Sequence, residues 1–306
     1  LRQHFGKDMI NYYTYVLCGD GDLMEGISYE ACSLAGLLEL NKLIVLYDSN
    51  DVTLDGALKT SFNENIKNRF ESMNWNYLLV TDGENTESID EAINKAKSQS
   101  NKPTIIEIKT TIGRGSQHEG KNLVHGKPLS REDMANLRKK YDIPTNTMEI
   151  TEAAVKYVRQ TINNRVRTQY ENWKKELEEI KRNGPTEKVK SILEFLETGE
   201  DGLKFSSSNF KIQNDYSEEL RESNSKIMNI VSDRSKFFLG GSADLSTSCH
   251  TALYKDTDFS KREKTGRNIS FGVREHAMGA ILNGMALSGL RTFGSTFLAF
   301  SDYLKP

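Results

Sequence analysis

Tyr12-Tyr-Thr-Tyr-Val-Leu17 running into Cys18-Gly19-Asp20-Gly21-Asp22, and Leu43-Ile44-Val45-Leu46-Tyr47 running into Asp48-Ser49-Asn50-Asp51, are β-prone runs that each stop at a polar turn. The two glycines of the first turn permit a tight reversal. Between the runs, Ala31, Leu34, Ala35 and Leu38 fall at i, i+3, i+4 and i+7, which draws one apolar stripe along a helix over about 25–40. The second run is short and apolar on both faces, as a strand covered from both sides requires. Strand, helix and strand in this order make a βαβ unit.

The alternation continues with a strand over 75–80, a helix over 88–98 and a strand over 103–109. A loop rich in glycine and histidine, 113–126, follows. Ser130 with Asp133 three residues on opens a helix toward Lys140, and Asp142-Ile143-Pro144 closes it. Over 145–215 the character changes: 159–182 is dense in Lys, Arg, Glu and Asn, and 202–214 is rich in Ser and Asn, which reads as a solvated helical connector. Beyond it lie a helix over 218–231, a strand over 237–240, another around 269–273, a helix over 275–287 and the run Arg291-Thr-Phe293. The fold class is α/β, with parallel sheets carrying helices on both faces, in two regions joined by a helical connector.

A chain of 306 residues suits two domains at about 100–200 residues each. With 37% hydrophobic and 27% charged residues there is enough apolar side chain to offset backbone ordering, which excludes wholesale disorder. Forty-one basic and 43 acidic residues leave a net charge of −2, so no nucleic-acid partner is expected. No apolar run approaches the ~18 residues of a membrane span, so no membrane partner is expected either. Cys18, Cys32 and Cys249 match neither a disulfide framework nor a zinc knuckle, and a reducing, cytoplasmic setting fits them. Leu1 in place of Met, and an apolar aromatic stretch over 295–303 at the other end, lead to the expectation of a piece of a longer product.

Asp20 and Asn50 each follow the carboxyl end of a strand, where open α/β sheets bind ligands. A carboxylate and an amide oxygen are hard donors suited to Mg²⁺ or Ca²⁺, with phosphate oxygens and water completing the shell. Glycines beside them admit phosphates to the backbone, and the following helix turns its positive end toward them. Gly-Asp-Gly by itself is more often a plain turn. The string Gly19-Asp-Gly-Asp-Leu-Met-Glu25-Gly-Ile-Ser-Tyr-Glu-Ala-Cys-Ser-Leu-Ala-Gly36, paired with Asn50, resembles the transketolases, a family of thiamine-diphosphate enzymes. It lacks the Gly-Lys-Ser/Thr of a Walker loop and the third glycine of a dinucleotide loop. The resemblance implies thiamine diphosphate bound at Gly19, Asp20, Gly21 and Asn50. It also implies a cation held by Asp20, Asn50 and the Val52 carbonyl, and Glu25 linking cofactors across a dimer. A first-turn glutamate is equally favoured by the helix dipole.

A second string, Gly272-Val-Arg-Glu275-His-Ala-Met-Gly-Ala-Ile-Leu-Asn-Gly284, resembles the family segment whose glutamate bonds the cofactor aminopyrimidine. There Glu275 would shift the ring tautomer so that the exocyclic imine can take the thiazolium proton. A bare Arg-Glu pair at a helix start is otherwise a common surface feature. Thr296-Phe297-Leu-Ala-Phe300-Ser-Asp-Tyr303 spaces three aromatics by three, ordinarily a core stripe; by resemblance Phe297, Phe300 and Tyr303 form the wall around the pyrimidine. Gly240-Gly-Ser-Ala-Asp244-Leu-Ser-Thr-Ser248 follows the family pattern too, with Asp244 near the thiazolium and Ser248 toward the sugar phosphate. Arg221 lies where a phosphate-contacting arginine is found, and reads equally as an exposed helix arginine.

His118 and His125 lie in a loop that resembles the family's cofactor- and sugar-facing loop, where histidines can shuttle protons. A zinc reading fails because no third ligand sits at a zinc-like interval. His276 reads as structural.

The resemblance divides the chain into a diphosphate-binding (PP) domain, 1–144, a connector, 145–215, and a pyrimidine-binding (Pyr) domain, 216–306. It implies reversible glycolaldehyde transfer between sugar phosphates in the pentose phosphate pathway. The sites would lie between the subunits of a homodimer, and this shortened chain would be inactive by itself. The rivals are a dihydroxyacetone synthase-like enzyme and a non-catalytic thiamine-diphosphate-binding piece. A deoxyxylulose-phosphate synthase is opposed by Arg274-Glu275-His276.

Overall fold

The structure, a computed structural model, describes residues 1–7, 9–143, 150–182, 187–198, 206, 208, 210 and 217–306. They form two compact units, one of residues 12–176 and one of residues 1–11 with 177–306. The expected boundaries at 144/145 and 215/216, Pro144 and most of the 202–214 stretch lie outside the described residues. In chain order the α-helices and strands are α1 (Arg2–Phe5), β1 (Thr14–Gly19), α2 (Asp20–Met24), α3 (Gly26–Leu37), β2 (Leu43–Ser49), β3 (Val52–Thr53), β4 (Gly56–Ala57), α4 (Ile66–Ser72), β5 (Asn76–Val80), α5 (Thr86–Lys97), β6 (Thr104–Lys109), α6 (Arg131–Lys140), α7 (Glu152–Arg182), α8 (Glu187–Thr198), α9 (Leu220–Arg234), β7 (Phe238–Ser242), α10 (Ser246–Cys249), β8 (Asn268–Ser270), α11 (Glu275–Leu287), β9 (Arg291–Ser295) and α12 (Ser301–Leu304).

In the 12–176 unit a parallel sheet runs β1-β2-β6-β5. Alternate residues of its inner strands feed opposite faces, as the period of two demands. Val45, Tyr47 and Ile105 pack with Phe70 and Trp75 on one face, and Ile44, Ile106 and Ile108 with Ala92 and Ala96 on the other. Gly36 is required by this packing, since a Cβ there would lie 1.8 Å from the Met73 carbonyl oxygen. The helix starts follow from side-chain caps: Asn85 accepts the Ser88 N–H at 3.0 Å and Ser130 accepts that of Asp133 at 3.0 Å.

The turn after β1 differs from the glycine reversal expected there. Gly19 has an ordinary φ of −109° and Gly21 lies inside α2. The Asp22 carboxylate reaches back to accept the Gly19 N–H at 2.8 Å, which starts a helix at Asp20. Glu25 then takes extended backbone and α3 begins anew at Gly26. Burial pushes the Cys18 thiol up to about 12 and the Cys32 thiol to about 11, so both stay protonated.

The other unit holds a parallel sheet of order β8-β7-β9. The strand expected over 269–273 ends at Ser270, and Gly272, at φ +65°, turns the chain into α11. Arg267, 8% exposed, donates to the Asp256 carboxylate and to the carbonyls of Ser232 (3.1 Å), Ser235 (2.6 Å) and Phe238 (3.3 Å). It thereby ties the end of α9 to β7. Phe5, Phe195 and Phe237 cluster with ring centroids 4.7–5.6 Å apart. Among the described residues no helix is long and apolar enough to cross a membrane.

Candidate functional site

Within the 12–176 unit, β1 and β2 are parallel neighbours, and their last paired residues are Gly19 and Asp48. Asp20 and Asn50 therefore leave the same edge of the sheet on adjacent strands. Asp20 is 4% exposed; one carboxylate oxygen, Oδ1, accepts the Tyr47 hydroxyl, while Oδ2 is buried without a hydrogen-bond partner. Asn50 donates through Nδ2 to Asp48 Oδ2 at 3.0 Å, and its Oδ1 accepts the Val52 N–H at 3.1 Å. Asp51 between them sits at φ +61°, the left-handed region that costs a non-glycine residue energy. Thr110 bonds the other oxygen of Asp48.

Electrostatics mark the same spot. Burial holds the Asp20 carboxyl above its ordinary range; the Tyr47 bond opposes this, and Asp51 and Asp48 add to it. Crowded carboxylates with one desolvated, unpartnered oxygen suit a cation, whose charge would reverse that shift. Among the described residues no three His, Cys, Asp or Glu side chains gather to hold a metal, so a cation would need phosphate, backbone or water ligands. A Cβ at Gly21 would meet nothing within 4 Å, so bare backbone faces open space there. Thiamine diphosphate with its cation thus fits the residues present.

Beneath lies a polar group invisible to sequence patterning. Glu107 on β6 accepts from Ser49 at 3.0 Å, Tyr77 at 2.7 Å and Lys109 at 2.8 Å. Burial alone would raise the Glu107 carboxyl, but Lys109, Tyr77 and Ser49 outweigh it and hold the group below its ordinary value. Tyr47, Ser49, Glu107 and Lys109 line a cavity of about 470 Å³. Glu25 is exposed at the start of α3. His118 and His125 lie in the loop after β6, each with a buried Nδ1 that has no hydrogen-bond partner.

In the other unit the expected residues again follow carboxyl ends of parallel strands: Asp244 after β7, Glu275 after β8 and Phe297 after β9. Glu275 is 6% exposed at the first position of α11, and Thr296 donates to its Oε1 at 3.1 Å. Phe297 and Phe300 stack at 6.2 Å, and Tyr303 meets His276 edge-on at 5.4 Å. All three wall aromatics are nearly half exposed, so their spacing does not make a core stripe. Asp244 is exposed at φ +62°. Arg221 donates to the Ser248 carbonyl at 3.1 Å and pairs with Glu219. Arg221 and Ser248 share a cavity of about 700 Å³ with Thr296 and Phe297. Sequence reasoning missed Thr296 as a partner of Glu275, although it stands in the quoted aromatic string.

Two parallel-sheet units with polar groups at their strand ends suit the thiamine-diphosphate-binding class of α/β protein, and comparison with known families shows that class. A family model described as "Transketolase, thiamine diphosphate binding domain" matches residues 2–198, and one described as "Transketolase, pyrimidine binding domain" matches residues 219–306. The chain belongs to the transketolase family. It is 43% identical over 319 residues to transketolase of Bacillus subtilis, covering 100% of this chain and 46% of the relative. To a probable transketolase of Streptococcus pneumoniae it is 42% identical over 303 residues, covering 98% and 46%. Transketolase from Leishmania mexicana superposes with a TM-score of 0.91 at 35% identity, covering 100% of this chain and 45% of that one. A Pichia stipitis transketolase complexed with sedoheptulose 7-phosphate gives 0.89 at 33% identity, covering 95% and 44%. The chain spans about half the length of the curated relatives it matches.

Proposed function

We propose that this chain binds thiamine diphosphate with Mg²⁺ or Ca²⁺ and takes part in the transferase reaction of its family. That reaction is reversible transfer of a two-carbon ketol unit from a ketose phosphate such as xylulose 5-phosphate to an aldose phosphate such as ribose 5-phosphate or erythrose 4-phosphate. One observation carries the reading: the buried, unpartnered Asp20 Oδ2 at the strand edge it shares with Asn50. Asp20, Asn50 and the Val52 carbonyl hold the cation, and Gly19, Gly21 and Glu25 flank the diphosphate. When bound, the cofactor supplies an electron sink for the two-carbon unit.

Glu275, held by Thr296, would hydrogen-bond the aminopyrimidine of the bound cofactor. Phe297, Phe300 and Tyr303 would hold that ring by stacking, and Asp244 would serve the thiazolium side. His118 and His125 would serve proton transfer on a sugar substrate, and Arg221 and Ser248, within the other unit, would suit a phosphate group. Pichia stipitis relatives complexed with sedoheptulose 7-phosphate, fructose 6-phosphate and xylulose 5-phosphate support a sugar-phosphate substrate. Val273 and Leu298, 74% and 88% exposed beside Glu275 and Phe297, support a site closed by a second subunit of a homodimer. The reading extends to a PP domain at 1–144, a connector at 145–215, a Pyr domain at 216–306, a cytoplasmic location and a role in the pentose phosphate pathway.

Calorimetry with thiamine diphosphate and Mg²⁺, run beside a coupled xylulose 5-phosphate and ribose 5-phosphate assay, tests it. Cation-dependent cofactor uptake is expected. Uptake without turnover assigns this chain to binding alone, turnover with formaldehyde as preferred acceptor assigns it to the dihydroxyacetone synthases, and no uptake overturns the reading.

A further inference from the structure

The two oxygens of Asp20 have different surroundings: Oδ1 receives the Tyr47 hydroxyl, and Oδ2 is buried with no partner. Tyr47 is 1% exposed, and its ring belongs to one buried cluster with Val45, Phe70 and Trp75, which restrains it. Ser49, two residues on, shares the Tyr47 face of β2, and across the β2–β6 register Glu107 is the partner of Tyr47 and Lys109 that of Ser49. Ser49, Glu107 and Lys109 are tied together there, Lys109 Nζ lying 2.8 Å from both Ser49 Oγ and Glu107 Oε1. The position of Tyr47 is thus set by its packed ring, with the polar cluster beside it on the same face.

We propose that Tyr47 is a positioning residue for the Asp20 carboxylate: by occupying Oδ1, its hydroxyl presents Oδ2 alone to the divalent cation. The inference rests on the cation site of the proposed function and deepens it. A carboxylate with one oxygen tied is a one-oxygen ligand, which suits the small octahedral shell of Mg²⁺. A freely turning carboxylate can offer both oxygens, which suits the larger shell of Ca²⁺. Outer groups that orient metal ligands in this way contribute about 10–100-fold to metal affinity. Tyr47 therefore bears on which cation is chosen as well as on how tightly it is held.

The test uses the whole 306-residue chain with thiamine diphosphate present, titrated with Mg²⁺ and with Ca²⁺ by calorimetry. Tyr47→Phe keeps the ring and removes the hydroxyl. It is expected to weaken Mg²⁺ by about 10–100-fold and Ca²⁺ by less, so that the ratio of the two affinities falls. Tyr77→Phe removes a hydroxyl that serves Glu107 and not Asp20, and is expected to leave both affinities within about twofold. Unchanged cation affinities in Tyr47→Phe overturn the proposal, as does an equal loss in Tyr77→Phe. Difference infrared spectra of the wild type, labelled at aspartate carboxyl carbons, make the test independent of how a variant folds. The wide stretch splitting of one-oxygen coordination is expected on adding Mg²⁺, and the narrow splitting of two-oxygen coordination overturns the proposal. Absence of any cation uptake by the wild type overturns the proposed function itself, whereas uptake that ignores Tyr47 overturns this inference alone.

Discussion

The two α/β units keep their candidate residues at the same address, the carboxyl ends of parallel strands, yet hold them by opposite means. In the 12–176 unit the groups are polar, buried or half-buried, and tied to one another: Asp20 to Tyr47, Asn50 to Asp48 and Val52, and Glu107 to Ser49, Tyr77 and Lys109. In the other unit Glu275 is buried and held by the Thr296 hydroxyl, while Phe297, Phe300 and Tyr303 stand nearly half exposed and Asp244 is exposed. The physical reason lies in the ligands each edge is suited to. A cation and a diphosphate reward charges fixed in advance, because desolvating and reorganising them is costly. A flat heterocycle is held by stacking and one well-placed hydrogen bond, for which open aromatic faces suffice.

The largest effect expected from breaking this division is at Glu275. Glu275→Gln should leave cation and cofactor affinity within about threefold but slow proton exchange at the thiazolium carbon of bound cofactor by about 10²–10⁴-fold, read by NMR after acid quench. An equal loss of cation affinity would mean that the two edges are not divided by task. Arg267→Met tests the scaffold of the same unit. Stranding the Asp256 carboxylate and three carbonyls should cost about 3–5 kcal/mol in urea unfolding, with the 12–176 unit unaffected. Thr296→Val, which acts only through Glu275, should slow the same proton exchange by about tenfold, less than Glu275→Gln does, and leave cofactor affinity within about threefold, since Glu275 loses a charge-assisted bond but keeps its carboxyl.

The smallest effect concerns acid–base balance within the 12–176 sheet. The Asp20 carboxyl lies above its ordinary value, so in the cation-free protein the folded state holds more protons than the unfolded state between the two values. The stability this supplies is whole below the ordinary value of 3.8 and is lost as pH rises through the raised one. Asp20→Asn should therefore raise the cation-free melting temperature at pH 7 by about a degree or two, with the gain vanishing in acid. Glu107 lies below its ordinary value of 4.5 and has the opposite sign. Its contribution is present above 4.5 and is lost as pH falls, so Glu107→Gln should lower the melting temperature at pH 7.

The alternation of strands and helices was legible because the inner strands are rich in β-branched and apolar residues, Leu43 to Tyr47 in β2 and Ile105, Ile106 and Ile108 in β6; α11 falls at 275–287 as read. The turn after β1 was misread because glycine spacing suggested a reversal, whereas the side chain of Asp22 caps a helix there. Asp20 and Asn50 stood out as polar residues just past apolar runs. Tyr47, Ser49, Glu107 and Lys109 did not, because the β2 and β6 members are joined only by strand register, Ser49 meeting Glu107 and Lys109 across 58 and 60 residues, which no local pattern encodes. Arg267 escaped for the same reason, since its carbonyl partners lie 29–35 residues upstream.

The most direct measurement of the central claim is a calorimetric titration of Mg²⁺ into the chain with thiamine diphosphate, repeated on Asp20→Asn and Asn50→Ala. The account expects one saturable cation per chain in the wild type and a loss of more than about 100-fold in either variant. Cation binding that survives both substitutions unchanged would contradict it.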